Sequence, residues 1–218
     1  LFFNTPARMK FMKQDSVEGA AVAAAGQRQA LAHPQVAIRL LRDGKEILNT
    51  PGDGQLLSAL AGVYGREAAN LVPVESHWEK SKVWGYVSKP TQARASRTYQ
   101  TFFVNDRPVK SKLLQSALEE AYRNQLMVGR FPACVLHLQV PFQSVDVNVH
   151  PAKTEVKFLS EREAFDCVHY GVLAALNKAQ DRPELRLSRE SEKKTEIPPA
   201  APKKEPAFQT ISAETYRQ

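Results

Sequence analysis

The 218 residues are 43% hydrophobic and 24% charged, with a formal net charge of +7, which allows one good core and a small second unit. No run approaches the roughly 18 consecutive apolar residues of a membrane helix, and Leu1-Phe2-Phe3-Asn4-Thr5-Pro6 lacks the basic stretch that precedes a secretory leader. A membrane-spanning or secreted protein is therefore not expected, and an opening apolar run without Met or an approach segment predicts further sequence upstream.

In chain order, Asp15 and Glu18 have the form of a capping box, and the alanine-rich stretch 17–32 predicts a helix stopped by His33-Pro34. Residues 36–48 predict a hairpin, because Asp43-Gly44 suits the positive φ angles of a tight turn. A short helix is expected after Gly54, with Leu56, Leu57, Leu60, Val63 and Tyr64 on one face. The aromatic and β-branched stretches 83–87 and 99–104 predict two strands. Their connecting loop, 88–98, carries Arg94 and Arg97 without an apolar anchor and is expected to be mobile.

A second helix is predicted over 112–125, burying Leu114, Ala117, Leu118, Ala121 and Tyr122. Cys134, Leu136, Leu138 and Val140 alternate with Val135, His137 and Gln139, and Val145, Val147 and Val149 alternate with Asp146, Asn148 and His150, so each stretch predicts a half-buried strand. Val156 and Phe158 make a short extended piece, and Ser160 with Glu163 caps a helix through Phe165, Val168, Val172 and Leu176. From Asp181 onward come 5 of the 14 prolines, mixed charge and few large apolar residues, a composition that predicts a linker. The sum is an α+β fold, a mixed sheet with helices on one face. Cys134 and Cys167 read as buried thiols; neither a metal site nor a disulfide is expected.

The positive charge is localised. Residues 1–79 hold 8 basic and 8 acidic groups, 113–180 hold 6 and 7, and 181–218 hold 8 and 7. Between 80 and 112, 8 basic groups face Asp106 alone. Such a run reads either as a solvated surface or as a contact for an anion. Within it, Asn105-Asp106-Arg107-Pro108-Val109-Lys110-Ser111-Lys112 leads into a helix. Three cations there oppose the helix dipole, which favours an anionic partner.

The stretch 145–158, VDVNVHPAKTEVKF, is a strand that enters a Pro-bearing turn and puts Lys153 at its tip, flanked by Val147, Val149, Val156 and Phe158. Such a mount suits a point charge aimed at a phosphoryl oxygen, although spacing alone does not separate that role from a solvated turn lysine. This stretch resembles the transducer signature of the MutL family of DNA mismatch repair proteins. The stretches LFFNTPARMKFMK, GKEILNTPGDG and TFFVNDRPVKSKLLQSALEEAY agree with the same family in its order.

The resemblance implies the second-domain fold shared by a small-subunit ribosomal protein and the transducers of GHKL ATPases. It divides the chain into the end of the ATPase domain (1–14), the transducer (15–180) and a disordered linker (181–218). Lys153 matches the family's phosphate-directed lysine, with His150, Pro151 and Ala152 as the scaffold that aims it. Lys112 matches a basic DNA-binding position, and Lys110, Arg107, Arg94 and Arg97 join it as candidate DNA ligands. ATP and Mg²⁺ are implied for the parent protein and not for this stretch alone, which lacks the family's nucleotide-binding motifs and is expected to be inactive by itself. DNA, MutS and a second MutL protomer are the implied partners, in a cytoplasmic, nucleoid-associated setting. Two other readings use the same fold, a stand-alone nucleic-acid-binding module and a topoisomerase-type transducer. Trp84 and Tyr86 are expected in the core.

Overall fold

The structure, a computed structural model, describes residues 3–149 and 154–180. The described residues fall within one compact unit, Leu1–Arg182. In chain order its elements are α1 (Pro6–Met9), α2 (Asp15–Ala32), β1 (Ile38–Arg42), β2 (Lys45–Thr50), α3 (Leu56–Tyr64), β3 (Leu71–Trp78) and β4 (Ser81–Ser88). They continue with β5 (Gln100–Val104), β6 (Arg107–Val109), α4 (Lys112–Ala121), β7 (Cys134–Gln139), β8 (Val145–Asp146), β9 (Lys157–Phe158) and α5 (Glu161–Gln180).

The main sheet has five strands in the order β3-β4-β7-β5-β6, with β5 and β7 parallel and the other pairs antiparallel. It is the mixed sheet of an α+β fold. Strands β4 and β5 are consecutive among the strands of the chain yet do not pair, because β7 lies between them. The hairpin β1–β2 forms a separate sheet, and its turn places Asp43 at φ 52° and Gly44 at φ 75°, as Asp-Gly predicts. Strands β3 and β6 were not expected. Each carries a proline, Pro73 and Pro108, which weakens a strand pattern, and each forms an edge of the sheet, where a missing N–H is tolerated.

One face of the sheet packs against α4 and α5. Val72, Val83, Phe102, Leu136 and Leu138 meet Leu114, Leu118 and Tyr122 from α4 and its end, and Cys167, Val168 and Val172 from α5. The opposite face differs from the expectation of helices on one side only. Phe103 and Val135 are buried there against Leu31 and Ala32 at the end of α2 and Ala59 and Leu60 of α3. The reason lies in β7, whose residues 134 to 138 are all buried, so its two faces both need cover. In α3 the buried residues are Ala59 and Leu60, while Leu57 is exposed.

Local chemistry corrects several other boundaries. Asp15 does not cap α2; the Glu18 carboxylate accepts instead from the Lys13 backbone N–H at 3.0 Å. Ser160 does cap α5, its hydroxyl accepting from the Glu163 N–H at 3.3 Å. Helix α4 ends at Ala121 rather than 125, in a turn where Asn124 adopts φ 64°. Strand β8 stops at Asp146, whose carboxylate takes the Asn148 N–H at 2.8 Å and turns the chain before Val149. Both cysteines are buried free thiols, and burial pushes the Cys167 pKa up to about 11.

His137 faces the second side of β7, stacked on Phe103 at 4.5 Å and on Trp84 at 5.2 Å. Burial pushes its pKa down to about 4, against the Asp106 carboxylate 4.0 Å away. An unfolded chain binds a proton near the ordinary value of 6.5 that the folded chain refuses until about 4, so stability falls as pH drops through that window. The slope contributed by His137 should reach about 1.4 kcal/mol per pH unit. Urea unfolding of wild type and His137→Phe between pH 7 and 4 checks this; equal slopes would assign the acid loss to carboxylates.

Candidate nucleic-acid interface

Of the 8 basic groups between 80 and 112, the fold uses three in salt bridges: Lys82 with Glu75, Arg94 with Glu67 and Arg97 with Glu119. The 88–98 loop, expected to be mobile, is anchored. Arg94 and Phe131 exchange both backbone hydrogen bonds at 2.8 Å, and the Arg94 guanidinium lies 5.0 Å from the Tyr99 ring centre. Arg97 donates to both Glu119 oxygens at 2.7 and 3.0 Å, and packs 4.0 Å from the Phe131 ring centre. Its guanidinium holds the Glu119 carboxyl below the usual carboxylate range. These partners are 22 to 27 residues away in sequence, or more, and no local pattern announces them.

Arg107, Lys110 and Lys112 differ. All three are exposed, and among the described residues none forms a salt bridge. They are brought together by a tight hairpin and a helix start. Asn105 and Asp106 take φ 48° and 63° to turn β5 into β6, so Asp106 does the work that Gly often does in such a turn. The Asn105 side-chain oxygen accepts from the Val140 N–H at 3.0 Å, and its own N–H donates to the Leu138 carbonyl at 3.0 Å, which fixes the turn to the end of β7. Ser111 then caps α4, its hydroxyl accepting from the Leu114 N–H at 3.4 Å, and Lys112 is the first helical residue. Three exposed cationic groups therefore fall within residues 107–112, on the edge strand β6 and at the start of α4, where they are suited to phosphate oxygens.

Lys153, His150, Pro151 and Ala152 lie outside the described residues. Their flanks are described. Strands β8 and β9 pair antiparallel, Val145 with Phe158 and Asp146 with Lys157, and Phe158 is buried while Val145 and Val156 pack against the core. Thr154, the residue after Lys153, accepts the Lys110 backbone N–H at 2.7 Å. Thr154 is thus tied to the basic junction, a link that the sequence does not display. Among the described residues no group of three or more His, Cys, Asp and Glu side chains could hold a metal ion. Among them, too, no helix is long and apolar enough to cross a membrane.

Residues 60–177 match the family model described as DNA mismatch repair protein, C-terminal domain. The chain belongs to the MutL family of DNA mismatch repair proteins. It is 42% identical over 193 residues to a DNA mismatch repair protein MutL of Symbiobacterium thermophilum, covering 88% of this chain and 30% of that protein. The MutL protein of Streptococcus sanguinis is also 42% identical, over 83% of this chain and 28% of its own length. The chain thus spans about a third or less of these relatives. Among solved structures, the N-terminal domain of a DNA repair protein superposes with a TM-score of 0.67 at 25% identity, over 82% of this chain and 60% of that one. A MutL ATPase domain of Aquifex aeolicus superposes with a TM-score of 0.55 over 79% of this chain and 58% of its own, and at 21% identity shows a shared fold. Together these place the MutL chain on the fold expected from its motifs.

The role of each junction residue in the fold can be separated by stability. Ser111→Ala should lower unfolding free energy by about 1 kcal/mol through loss of the cap. Lys112→Glu should leave it unchanged or raise it by about 0.3–1 kcal/mol, since a carboxylate suits a helix N-terminus. Urea titrations compare them; a Lys112→Glu chain with a clearly lower midpoint would make this lysine part of the fold rather than a free contact.

Proposed function

We propose that this chain is the transducer part of a MutL ATPase, with residues 1–14 closing the ATPase domain, 15–180 forming the transducer and 181–218 beginning a linker. Its own contribution is a non-specific contact to the DNA backbone, coupled to a lysine that senses the ATP terminal phosphate. The observation that carries the reading is the row of Arg107, Lys110 and Lys112, exposed and without carboxylate partners among the described residues. Arg94 and Arg97 support the loop behind this row rather than adding free charge, since each is already held by a glutamate. The Lys110–Thr154 hydrogen bond supports coupling, because it joins the DNA-facing segment to the residue that follows Lys153.

In the full-length protein ATP and Mg²⁺ supply the hydrolysable phosphate and its counter-charge. Residues His150, Pro151 and Ala152 would aim Lys153, which acts as a point charge toward that phosphate. The relatives' names place them in mismatch repair, and by extension MutS and a second protomer are the partners proposed for the whole protein in the cytoplasm.

Two outcomes test the reading. Duplex binding by this chain should be indifferent to sequence. Its log K should fall with log salt at a slope of roughly −2.7, for three phosphates at about −0.9 each. Lys112→Glu should weaken binding and flatten the slope by about one unit or more, whereas Arg97→Ala should change the slope little. A zero slope, or equal loss in both variants, would return the row to a solvated surface. In the full-length protein, Lys153→Ala should lower kcat by about ten to a thousandfold, the scale of removing one preorganised charge, and Lys153→Arg should restore little of it. Unchanged steady-state hydrolysis would leave Lys153 without that role.

A further inference from the structure

Where β4 ends and β5 and β7 begin, a cavity of about 240 Å³ lies beside the second core cluster. Tyr64, Leu71 and Tyr86 line it, half-buried, and also pack against that cluster, so this wall is held by the fold. Tyr86 thus has the core contacts expected from sequence and keeps part of its surface on the cavity. The connection between β4 and β5 forms another wall. It contributes Gln92, Arg94 and Tyr99, and is anchored by the paired backbone bonds of Arg94 and Phe131. Pockets for drug-sized molecules run to roughly 300–1,000 Å³, so a smaller one has room for a single ring system.

The polar groups of the lining narrow the ligand. Arg94 donates to Glu67 through one terminal nitrogen, and its guanidinium lies 5.0 Å from the Tyr99 ring centre. Its Nε is buried and has no hydrogen-bond partner among the described residues. A buried N–H without an acceptor is costly, and an apolar side chain entering the cavity would leave it so. A planar ring bearing a carbonyl oxygen would supply the acceptor. Gln92 adds an amide that can both donate and accept. Aromatic faces and a guanidinium plane, with hydrogen-bonding groups for the ring edge, are the means by which unpaired nucleobases are held. Exposed Arg66 precedes Glu67 and exposed Lys89 follows Ser88, both lining residues. Among the described residues neither cation forms a salt bridge, so each has its charge to offer a phosphate.

We propose that this cavity binds a single nucleotide, its base held by the tyrosines and the Arg94 Nε, and its phosphate by Lys89 and Arg66. An unpaired base of a DNA strand and a free mononucleotide share that chemistry. The site goes beyond the backbone contact proposed at the β6–α4 junction and shares no residue with it. The stacked pairs of a duplex offer no base that could enter.

The test follows the amide and side-chain N–H signals of the full 218-residue chain by NMR during titration with thymidine monophosphate, with oligo(dT), and with an abasic strand of equal length. The expected result is a saturable shift at Gln92, Arg94 and Val135 with both thymine ligands and none with the abasic strand. Oligo(dT) binding about tenfold tighter or more assigns the site to a DNA strand, and equal affinity assigns it to the free nucleotide. Tyr99→Ala should lose about tenfold or more, while Tyr99→Phe, which keeps the ring, should bind like wild type. Ala93→Leu fills the cavity and leaves its polar groups in place, and should abolish binding with an unchanged urea midpoint. Lys89→Glu should weaken thymidine monophosphate but not thymidine. Lys112→Glu should bind thymidine monophosphate like wild type, which separates a failure of the duplex contact from a failure of this site. No saturable shift at millimolar thymidine monophosphate or oligo(dT), or an equal response to the abasic strand, would overturn the proposal. So would undiminished binding in both Tyr99→Ala and Ala93→Leu, or tighter binding of N-acetyltyrosine amide, which would make the cavity a pocket for a partner's side chain.

Discussion

Strand β7 is the constraint on which the rest of the structure depends. It pairs antiparallel with β4 from Lys82↔Gln139 to Val87↔Cys134, and parallel with β5 from Gln100↔Cys134 to Val104↔Leu138. A strand that enters the sheet between two earlier ones requires a crossover, and α4 provides it between β6 and β7. Because Cys134 through Leu138 are buried on both sides, the molecule must supply apolar cover to two faces. The α4–α5 layer meets one need, and the ends of α2 and α3 meet the other. The turn at Asn105 and Asp106 is fastened to the end of this same strand through Leu138 and Val140, so the basic junction is positioned by β7 as well.

Of the 8 cations of the 80–112 segment, Lys82, Arg94 and Arg97 are held in salt bridges, whereas Lys80, Lys89, Arg107, Lys110 and Lys112 are exposed and form none among the described residues. Arg94 and Arg97 hold the long connection between β4 and β5 in place, the first against Glu67 and Phe131, the second against Glu119 and the Phe131 ring. A guanidinium already shared with a carboxylate has less to offer a phosphate. Arg107, Lys110 and Lys112 have no such partner among the described residues and sit where the chain passes from an edge strand into a capped helix. Three of the five unpaired cations, Arg107, Lys110 and Lys112, thus fall together in sequence at the β6 edge of the sheet, with Lys80 and Lys89 at the ends of β4.

Much of this was legible in the sequence where the signal is local. The Asp43-Gly44 hairpin, the buried side of α4 and the Ser160 cap follow from turn chemistry and helical spacing, and the position of Lys112 at a helix start follows from the same spacing. What escaped depends on distant partners or on competing chemistry. Pro73 and Pro108 hid two edge strands, since proline marks an edge only once the sheet is known. His137 disguised a strand buried on both sides, because a polar residue between Leu136 and Leu138 reads as the wet face until Trp84 and Phe103 are seen to enclose it. The glutamates that pin Arg94 and Arg97 lie far along the chain, as does Lys110 from Thr154. Only the fold brings them together.

A DNA contact at the β6–α4 junction is the central proposal. Backbone amide shifts of the 218-residue chain, mapped during titration with a short duplex at low salt, measure that directly. The prediction is that perturbation centres on residues 105–115, with Thr154 moved through its bond to Lys110 and residues 94–98 largely still. Perturbation centred on 94–98, or none at saturating duplex, would contradict the division of the cations on which the account rests.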